Sequence, residues 1–141
     1  QDVFEIEAPY FKGVVIREIV LGQYSDFADA AAEIISVSIV RGNTTAGSGG
    51  AEVTPVALDP YTLASETTIM RNNTTVATGG GDTMRAEAWN IQIPYIYVPD
   101  PSERILIKPR QRCCVRITLP ADSLTTNGTI VFQEVSVSET P

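Results

Sequence analysis

The chain has no histidine among its 141 residues, although histidine is the side chain that most often acts as a general base near neutral pH. Its absence excludes Ser-His and Cys-His nucleophile pairs and removes the commonest transition-metal ligand. A glycosidase-type mechanism needs two carboxyl groups about 5 to 9.5 Å apart, and the acidic residues here are scattered over different predicted strands and loops. We therefore predict that the protein is not an enzyme and uses no cofactor and no metal.

The polar loops contain fragments of calcium, phosphate and glycosylation motifs. The paired acids lack the remaining ligands of a calcium loop, and the glycine run is not followed by the Lys-Ser/Thr of a phosphate-binding loop. Asn-x-Ser/Thr patterns would matter only in a glycosylating compartment. We expect all of these residues to be solvated, capping or turn residues. They are Asp26, Asp29, Asp100, Glu103, Gly79, Gly80, Gly81, Asn43, Asn72, Asn73 and Asn127.

Cysteine occurs only at Cys113 and Cys114. Adjacent residues of a strand point to opposite faces, so a disulfide between these two would need strained geometry. We expect two reduced thiols, one in the core and one at a surface or interface, because a free cysteine usually packs as a small apolar residue. Reduced cysteines are consistent with assembly in a cytosol.

Trp89, Tyr95 and Tyr97 form the candidate interface. Tryptophan and tyrosine combine a large apolar area with a polar tip, and they are enriched at the energetic centres of protein interfaces. The same residue types also occur in domain cores and in sugar-binding platforms. Core packing and a sugar platform therefore stay open beside the interface hypothesis.

These side chains must be positioned by β-strands, because apolar and polar residues alternate with a period of two through most of the chain. Helix-forming residues are concentrated only in 25–34, behind two residues that could cap a helix. The pattern predicts an all-β fold with about eight or more short strands, arranged as a sandwich or a barrel. The predicted strands are 3–7, 14–21, 35–40, 53–58, 67–71, 83–93, 95–98, 104–108, 113–119 and 129–137.

The strand at 14–21 is predicted to lie centrally, because both of its faces are largely apolar. Strict alternation would place Val15 and Arg17 on the same face as Ile19 and Leu21. Two further strands have one clear inner face. The side chains predicted to face the core are Ile35, Val37 and Ile39 in the first of these strands and Cys113, Val115, Ile117 and Leu119 in the second.

The connections are predicted from turn residues. Asn127-Gly128 favours a tight turn, which predicts a hairpin between strands 113–119 and 129–137. The segments 43–51 and 77–82 are rich in glycine and threonine or serine and are predicted to be flexible loop tips. No internal repeat is evident.

Composition predicts one folded domain over residues 1–141, with extended arms at 1–11 and 135–141 that could add strands to a neighbour. The net charge is −7, with only 10 lysines and arginines. An acidic surface repels phosphate backbones and anionic lipids. We therefore predict no nucleic-acid partner and no membrane partner, and no apolar run reaches the roughly 18 to 20 residues of a spanning helix.

Five segments carry a resemblance to known proteins: Val37-Ser-Ile-Val-Arg-Gly42, Val53 to Pro60, Ala88 to Gln92, Tyr97 to Arg104 and Leu124 to Glu134. They resemble small structural proteins of tailed bacteriophages, of the capsid decoration, or cement, type. The resemblance extends over roughly residues 12 to 134. It includes no catalytic motif and transfers no functional residue.

The resemblance implies an antiparallel, jelly-roll-like β-sandwich on the exterior of an icosahedral capsid, where it bridges subunits of the major capsid protein and stabilises the DNA-filled head. It also implies a virion protein that is made in the host cytoplasm and forms a homodimer or homotrimer. The alternative, suggested by Trp89, Tyr95 and Tyr97, is a carbohydrate-binding or receptor-binding domain of the virion or its tail.

Overall fold

The computed structural model describes residues 1–24, 34–118 and 125–136. These residues form ten β-strands in antiparallel pairs, which confirms the predicted all-β sandwich. In the described ranges no helix is long and apolar enough to cross a membrane. The strands are β1 (Asp2–Glu7), β2 (Lys12–Gln23), β3 (Ile34–Arg41), β4 (Ala51–Val53), β5 (Thr68–Asn73), β6 (Asp82–Asn90), β7 (Tyr95–Tyr97), β8 (Leu106–Ile107), β9 (Arg112–Ile117) and β10 (Thr126–Ser136).

The strands form two facing sheets. The large sheet has the order β4-β5-β1-β9-β3-β6, and the small sheet has the order β10-β2-β7, with β8 also paired to β2. β2 therefore lies inside its sheet, as its two apolar faces predict. β1 lies between β5 and β9, so residues 2–7 form an interior strand instead of the arm predicted at 1–11.

The core between the sheets depends on a bulge in β2. Consecutive residues of β10 pair with Glu18 and Ile16, which leaves Arg17 as an extra residue in β2. A bulge of this kind shifts the alternation of side chains by one position. The predicted grouping of Val15 and Arg17 with Ile19 is therefore wrong. The core residues of β2 are Val14, Ile16, Ile19 and Leu21.

β3 and β9 have the inner faces that alternation predicts. All six described core residues on them are buried between the sheets, because neither strand has a bulge where the two pair with each other. They are Ile35, Val37 and Ile39 on β3 and Cys113, Val115 and Ile117 on β9. The predicted core residue Leu119, the predicted helix apart from Ile34, and tail residues 137–141 lie outside the described residues.

β9 and β10 do not form the predicted hairpin. β9 pairs with β1 and β3 in the large sheet, whereas β10 pairs with β2 in the small sheet. Asn127 and Gly128 lie inside β10, opposite Gly22 and Leu21. A Cβ atom on Gly128 would lie 2.9 Å from the Leu21 side chain, so this glycine permits a close approach within the sheet instead of a turn.

Two connections cross the outer face of the large sheet. Residues 42–50 lead from β3 to β4, and residues 74–81 lead from β5 to β6. Since β3 and β5 lie on opposite sides of the central pair β1 and β9, each connection passes over that pair, and the two run side by side in antiparallel directions. Because both cross β1 and β9, we call them the crossed loops.

The crossed loops are a sequence repeat, so the prediction of no repeat is wrong. Residues 41–50 and 71–80 share the pattern Arg-x-Asn-Thr-Thr-x-x-Ser/Thr-Gly-Gly. Equivalent positions pair reciprocally between the loops, which relates them by a local twofold axis. The pairs are Thr45 with Thr78 and Thr75 with Ser48. The two loops are tied to each other in place of the predicted flexible tips.

Candidate functional site

The three aromatic side chains of the predicted interface lie in the core. Trp89, Tyr95 and Tyr97 are at most 7% exposed, and the Trp89 indole N–H donates to the Ile93 carbonyl oxygen at 2.7 Å. The alternation in β7 turns the tyrosines inward and leaves Ile96 at the surface. Three buried rings offer no platform for stacking on a sugar, so the site must be sought elsewhere.

The two cysteines are free thiols and both are buried. Burial raises the pKa of Cys113 to about 12 and also raises the pKa of Cys114. Because the thiolate is the reactive species, both groups are chemically quiet at neutral pH. Cys113 faces the core as predicted, whereas Cys114 faces the opposite side of the sheet, where the crossed loops cover it.

An ionic layer lies between the large sheet and the crossed loops. The pairing of β1 with β9 is irregular between Asp2 and Phe4, which brings Asp2 and Glu5 to the same face. Asp2 Oδ1 lies 2.6 Å from Arg116 Nε, and Glu5 Oε1 lies 3.0 Å from Arg112 Nε. Both carboxylates are buried, so each has its charge balanced by an arginine.

The same carboxylates bind the crossed loops. The Ala77 N–H donates to Asp2 Oδ2 at 2.8 Å, and the Gly47 N–H donates to Glu5 Oε2 at 2.9 Å. Ligand atoms of Asp2, Glu5 and Cys114 lie within 4.8 Å of one another, a spacing that could suit a metal ion. Because both carboxylates already bind arginine and backbone N–H groups, we interpret this layer as structural.

The remaining polar motifs are in ordinary loops and strands. Asp100 and Glu103 are exposed at a short 3-10 turn, where the Glu103 N–H donates to the Asp100 carbonyl. Asn43, in the crossed loops, and Asn73, at the end of β5, are both buried, so neither side chain is accessible for glycosylation. Asp26 and Asp29 lie outside the described residues.

The main surface feature is the segment after β4, residues 54–66, which we call the docking loop. The strand predicted at 53–58 ends at Val53, and the chain then carries large apolar side chains into solvent. They are Val56 (87% exposed), Leu58 (88%), Tyr61 (96%) and Leu63 (89%). Large exposed apolar patches are typical of sites where a protein contacts another molecule.

The docking loop is anchored at its end by Glu134 of β10. One carboxylate oxygen of Glu134 accepts hydrogen bonds from the Ser65 hydroxyl (2.6 Å), the Glu66 N–H (2.8 Å), and the Thr67 N–H (3.0 Å) and hydroxyl (2.7 Å). Lys12 lies 3.4 Å from the other oxygen. The loop therefore presents its apolar side chains from a fixed base.

A groove of about 900 Å³ separates the docking loop from β10. Its walls are Val56, Leu58 and Leu63 on one side and residues 128–136 of β10 on the other. Apolar side chains at the open side of the sandwich also line it. They are Phe4, Val53, Ile69, Ile130 and Phe132.

Lowering the pH is expected to weaken the hydrogen bonds that anchor the end of the docking loop to Glu134. Burial alone would raise the pKa of Glu134, but its hydrogen bonds and Lys12 outweigh burial and lower the pKa to about 2. An unfolded glutamate titrates near pH 4.3. The stabilisation from Glu134 is therefore complete above that pH and is lost as the pH falls toward 2, a loss of about 3 kcal/mol.

Denaturant unfolding of wild type and Glu134→Gln between roughly pH 2 and 7 tests this expectation. The variant should lose about 1 to 3 kcal/mol at neutral pH and show a flatter decline in acid. Glu66→Gln is the matched control, because Glu66 is 64% exposed and bonds only loosely to Lys12. Parallel pH profiles for wild type and Glu134→Gln would contradict the role of Glu134.

The sequence contains a signal for the docking loop that alternation obscures. Val56 and Leu58 alternate with small residues as in a strand, but Pro55 and Pro60 interrupt the run, and proline is excluded from strand interiors.

Comparison of the chain with protein-family models, with curated proteins and with solved structures finds no match.

Proposed function

We propose that the protein is a structural protein of the virion that binds the outer surface of the capsid. In this role it bridges subunits of the major capsid protein and stabilises the DNA-filled head. The docking loop is the observation that carries the proposal, because its four large apolar side chains are 87 to 96% exposed while its end is anchored to β10. Such a loop gains stability by burying these side chains against a protein partner.

The choice of a capsid as the partner is supported by the resemblance to decoration proteins. Two of the five segments that carry it, 53–60 and 124–134, supply the first half of the docking loop and most of β10. A decoration protein binds in many copies, so that modest affinity at each site is multiplied by avidity. Binding to the assembled shell also stabilises it by mass action.

Co-sedimentation with capsids assembled without the protein tests the proposal. The wild type should bind saturably and raise the temperature at which the heads release DNA. Tyr61→Asp should weaken binding by roughly 10-fold to 100-fold, because a buried interface tyrosine often contributes 2 kcal/mol or more. The free energy of unfolding of the variant should not change, since Tyr61 is 96% exposed.

Ile96→Asp is the matched control, because Ile96 is 63% exposed and lies on the small sheet away from the docking loop. It should bind capsids like the wild type. Loss of binding by Ile96→Asp and not by Tyr61→Asp would move the contact to the outer face of the small sheet. Absence of wild-type binding would overturn the proposal.

A further inference from the structure

β10 differs from the other edge strands of the described residues in having no protection against pairing. Natural sheets protect their edges with short strands, bulges and charged side chains. β4, β7 and β8 contain only two or three residues each. β6 is longer, but it has a bulge at Met84 and carries the charged pair Arg85 and Glu87.

β10 has eleven residues, no proline and one charged side chain. Its residues pair consecutively with β2, because the bulge between these strands is carried by Arg17 of β2. The one charge, Glu134, is engaged by Lys12 and the docking loop. Within the described residues, β10 has no strand partner on the side away from β2. A long, regular and nearly uncharged edge is a template for another strand.

We propose that two copies of this chain pair antiparallel along β10, about a twofold axis through Val131. The two small sheets then form one continuous sheet across the dimer. Val131 is the central residue of the strand, so this register pairs all of β10 with itself. Residues that lie opposite each other in neighbouring strands must point to the same face of the sheet. A twofold axis through Val131 pairs residues that are an even number of positions apart, and such residues point to the same face.

The side chains of this register are complementary. Ile130 lies opposite Phe132 of the partner subunit, and Thr129 lies opposite Gln133 of the partner subunit. Glu134 lies opposite Gly128 of the partner subunit, so no like charges face each other. Cross-strand pairs of apolar side chains stabilise a sheet, whereas opposed like charges destabilise it.

The low charge of β10 also allows a second copy of the chain to bind along this strand. The chain has a net charge of −7, which would oppose self-association if the acids were at the contact. β10 carries a single acid, and Lys12 and Arg17 flank it from β2. The strand that forms the contact therefore brings no second acid to it.

The groove beside β10 provides the space for the second strand. Ile130 and Phe132 are only partly buried in the single chain, although they pack against the core. A partner strand along β10 covers them, and Leu58 and Leu63 of the docking loop flank the incoming strand. Tyr61 does not line the groove, so its side chain stays available for the contact in the proposed function.

Cysteine cross-linking tests the register. Paired residues of antiparallel strands have Cα atoms about 4.5 to 5.5 Å apart, within the range of a disulfide. Val131→Cys should therefore form a covalent dimer on mild oxidation. Thr129→Cys alone should not, because its counterpart is Gln133 of the partner subunit, but it should cross-link when mixed with Gln133→Cys. Cys113 and Cys114 are buried, so the native thiols do not interfere.

Charge substitution tests the pairing in solution. Thr129→Lys with Gln133→Glu places opposite charges across the twofold axis, whereas Thr129→Glu with Gln133→Glu places like charges there. Both variants keep a partner for Arg17, which donates to Gln133 at 2.8 Å. Sedimentation should show a wild-type dimer, a dimer in the first variant, and about a 10-fold higher dissociation constant in the second.

Three outcomes would overturn the inference. They are a monomeric wild type at high concentration, equal dissociation constants for the two charge variants, and equal cross-linking of the Val131→Cys and Thr129→Cys proteins. The capsid test above uses Tyr61 and a separate assay. A capsid-binding monomer and a dimer that does not bind capsids are therefore distinguishable results.

Discussion

Replacing Asp2 by alanine is expected to lower the free energy of unfolding by about 3 to 5 kcal/mol, the usual cost of removing one partner from a buried ion pair. Asp2 is fully buried, and its carboxylate binds both the Arg116 guanidinium and the Ala77 N–H. The substitution leaves the partly buried Arg116 guanidinium, 27% exposed, without its carboxylate and leaves an unsatisfied backbone donor. Urea denaturation at neutral pH, monitored by tryptophan fluorescence, measures the change through Trp89 in the core.

A double variant distinguishes the loss of charge balance from general disruption. Arg116→Met in the Asp2→Asn background removes the uncompensated cation, so the double variant should be more stable than Asp2→Asn alone. Glu66→Gln, which removes an exposed ion pair, should cost less than about 1 kcal/mol. Additive losses in the double variant would show that the ion pair does not couple the two residues.

The ionic layer has a consequence for the whole fold. β1 and β9 are the central strands of the large sheet, and one face of each packs in the hydrophobic core. The opposite faces carry the carboxylates and arginines that hold the crossed loops. Loss of Asp2 therefore weakens the attachment of residues 74–81 as well as the pairing of β1.

Sequence patterns were sufficient for the fold class and for the inner faces of β3 and β9. In β3, apolar residues alternate with small polar ones, so the faces of the strand are evident from residue type. β2 was identified as central for a related reason, since both of its faces are apolar. Its two faces could not be assigned, because a bulge at Arg17 shifts the alternation of side chains by one position and the residue type does not reveal the bulge.

The candidate site could not be predicted from residue types alone. Tryptophan and tyrosine occur both in cores and in interfaces. The orientation of Trp89 follows from the pairing of β6 with β3, and that of the two tyrosines from the pairing of β7 with β2. The crossed loops were obscured by their glycines and threonines, which are typical of flexible tips. The spacing of 30 residues between Arg41 and Arg71 was the signal that could have identified them.

The sequence repeat in the crossed loops predicts that two glycines have equivalent structural roles. Gly49 and Gly79 occupy equivalent positions and both have positive φ, +88° and +84°. A Cβ atom at Gly79 would overlap the Thr44 hydroxyl, and one at Gly49 would overlap the Thr74 hydroxyl. The local twofold symmetry therefore predicts that alanine at either position destabilises the protein to a similar extent.

Gly79→Ala is expected to cost about 2 to 4 kcal/mol. The left-handed backbone costs an alanine roughly 1 to 2 kcal/mol, and displacing Thr44 adds the loss of its hydrogen bond to the Gly79 carbonyl, 2.9 Å long. Gly80→Ala is the matched control, because Gly80 has nearly the same φ, +83°, and no heavy atom within 4 Å of an added Cβ. It should cost only the backbone part.

Thr44→Ala decides whether the overlap is the cause. The Thr44→Ala background removes the overlapping hydroxyl and leaves Thr45 Oγ1, 3.3 Å from the added Cβ, as its nearest neighbour. Gly79→Ala should then cost little more than Gly80→Ala does in the wild type, and the two substitutions should couple by about 1 to 2 kcal/mol. Unfolding curves for the four proteins of this cycle give the coupling directly. Equal losses for Gly79→Ala and Gly80→Ala in the wild type would mean that the crossed loops can separate to admit a side chain, and the pairing of the two loops would then be a weak constraint on the large sheet.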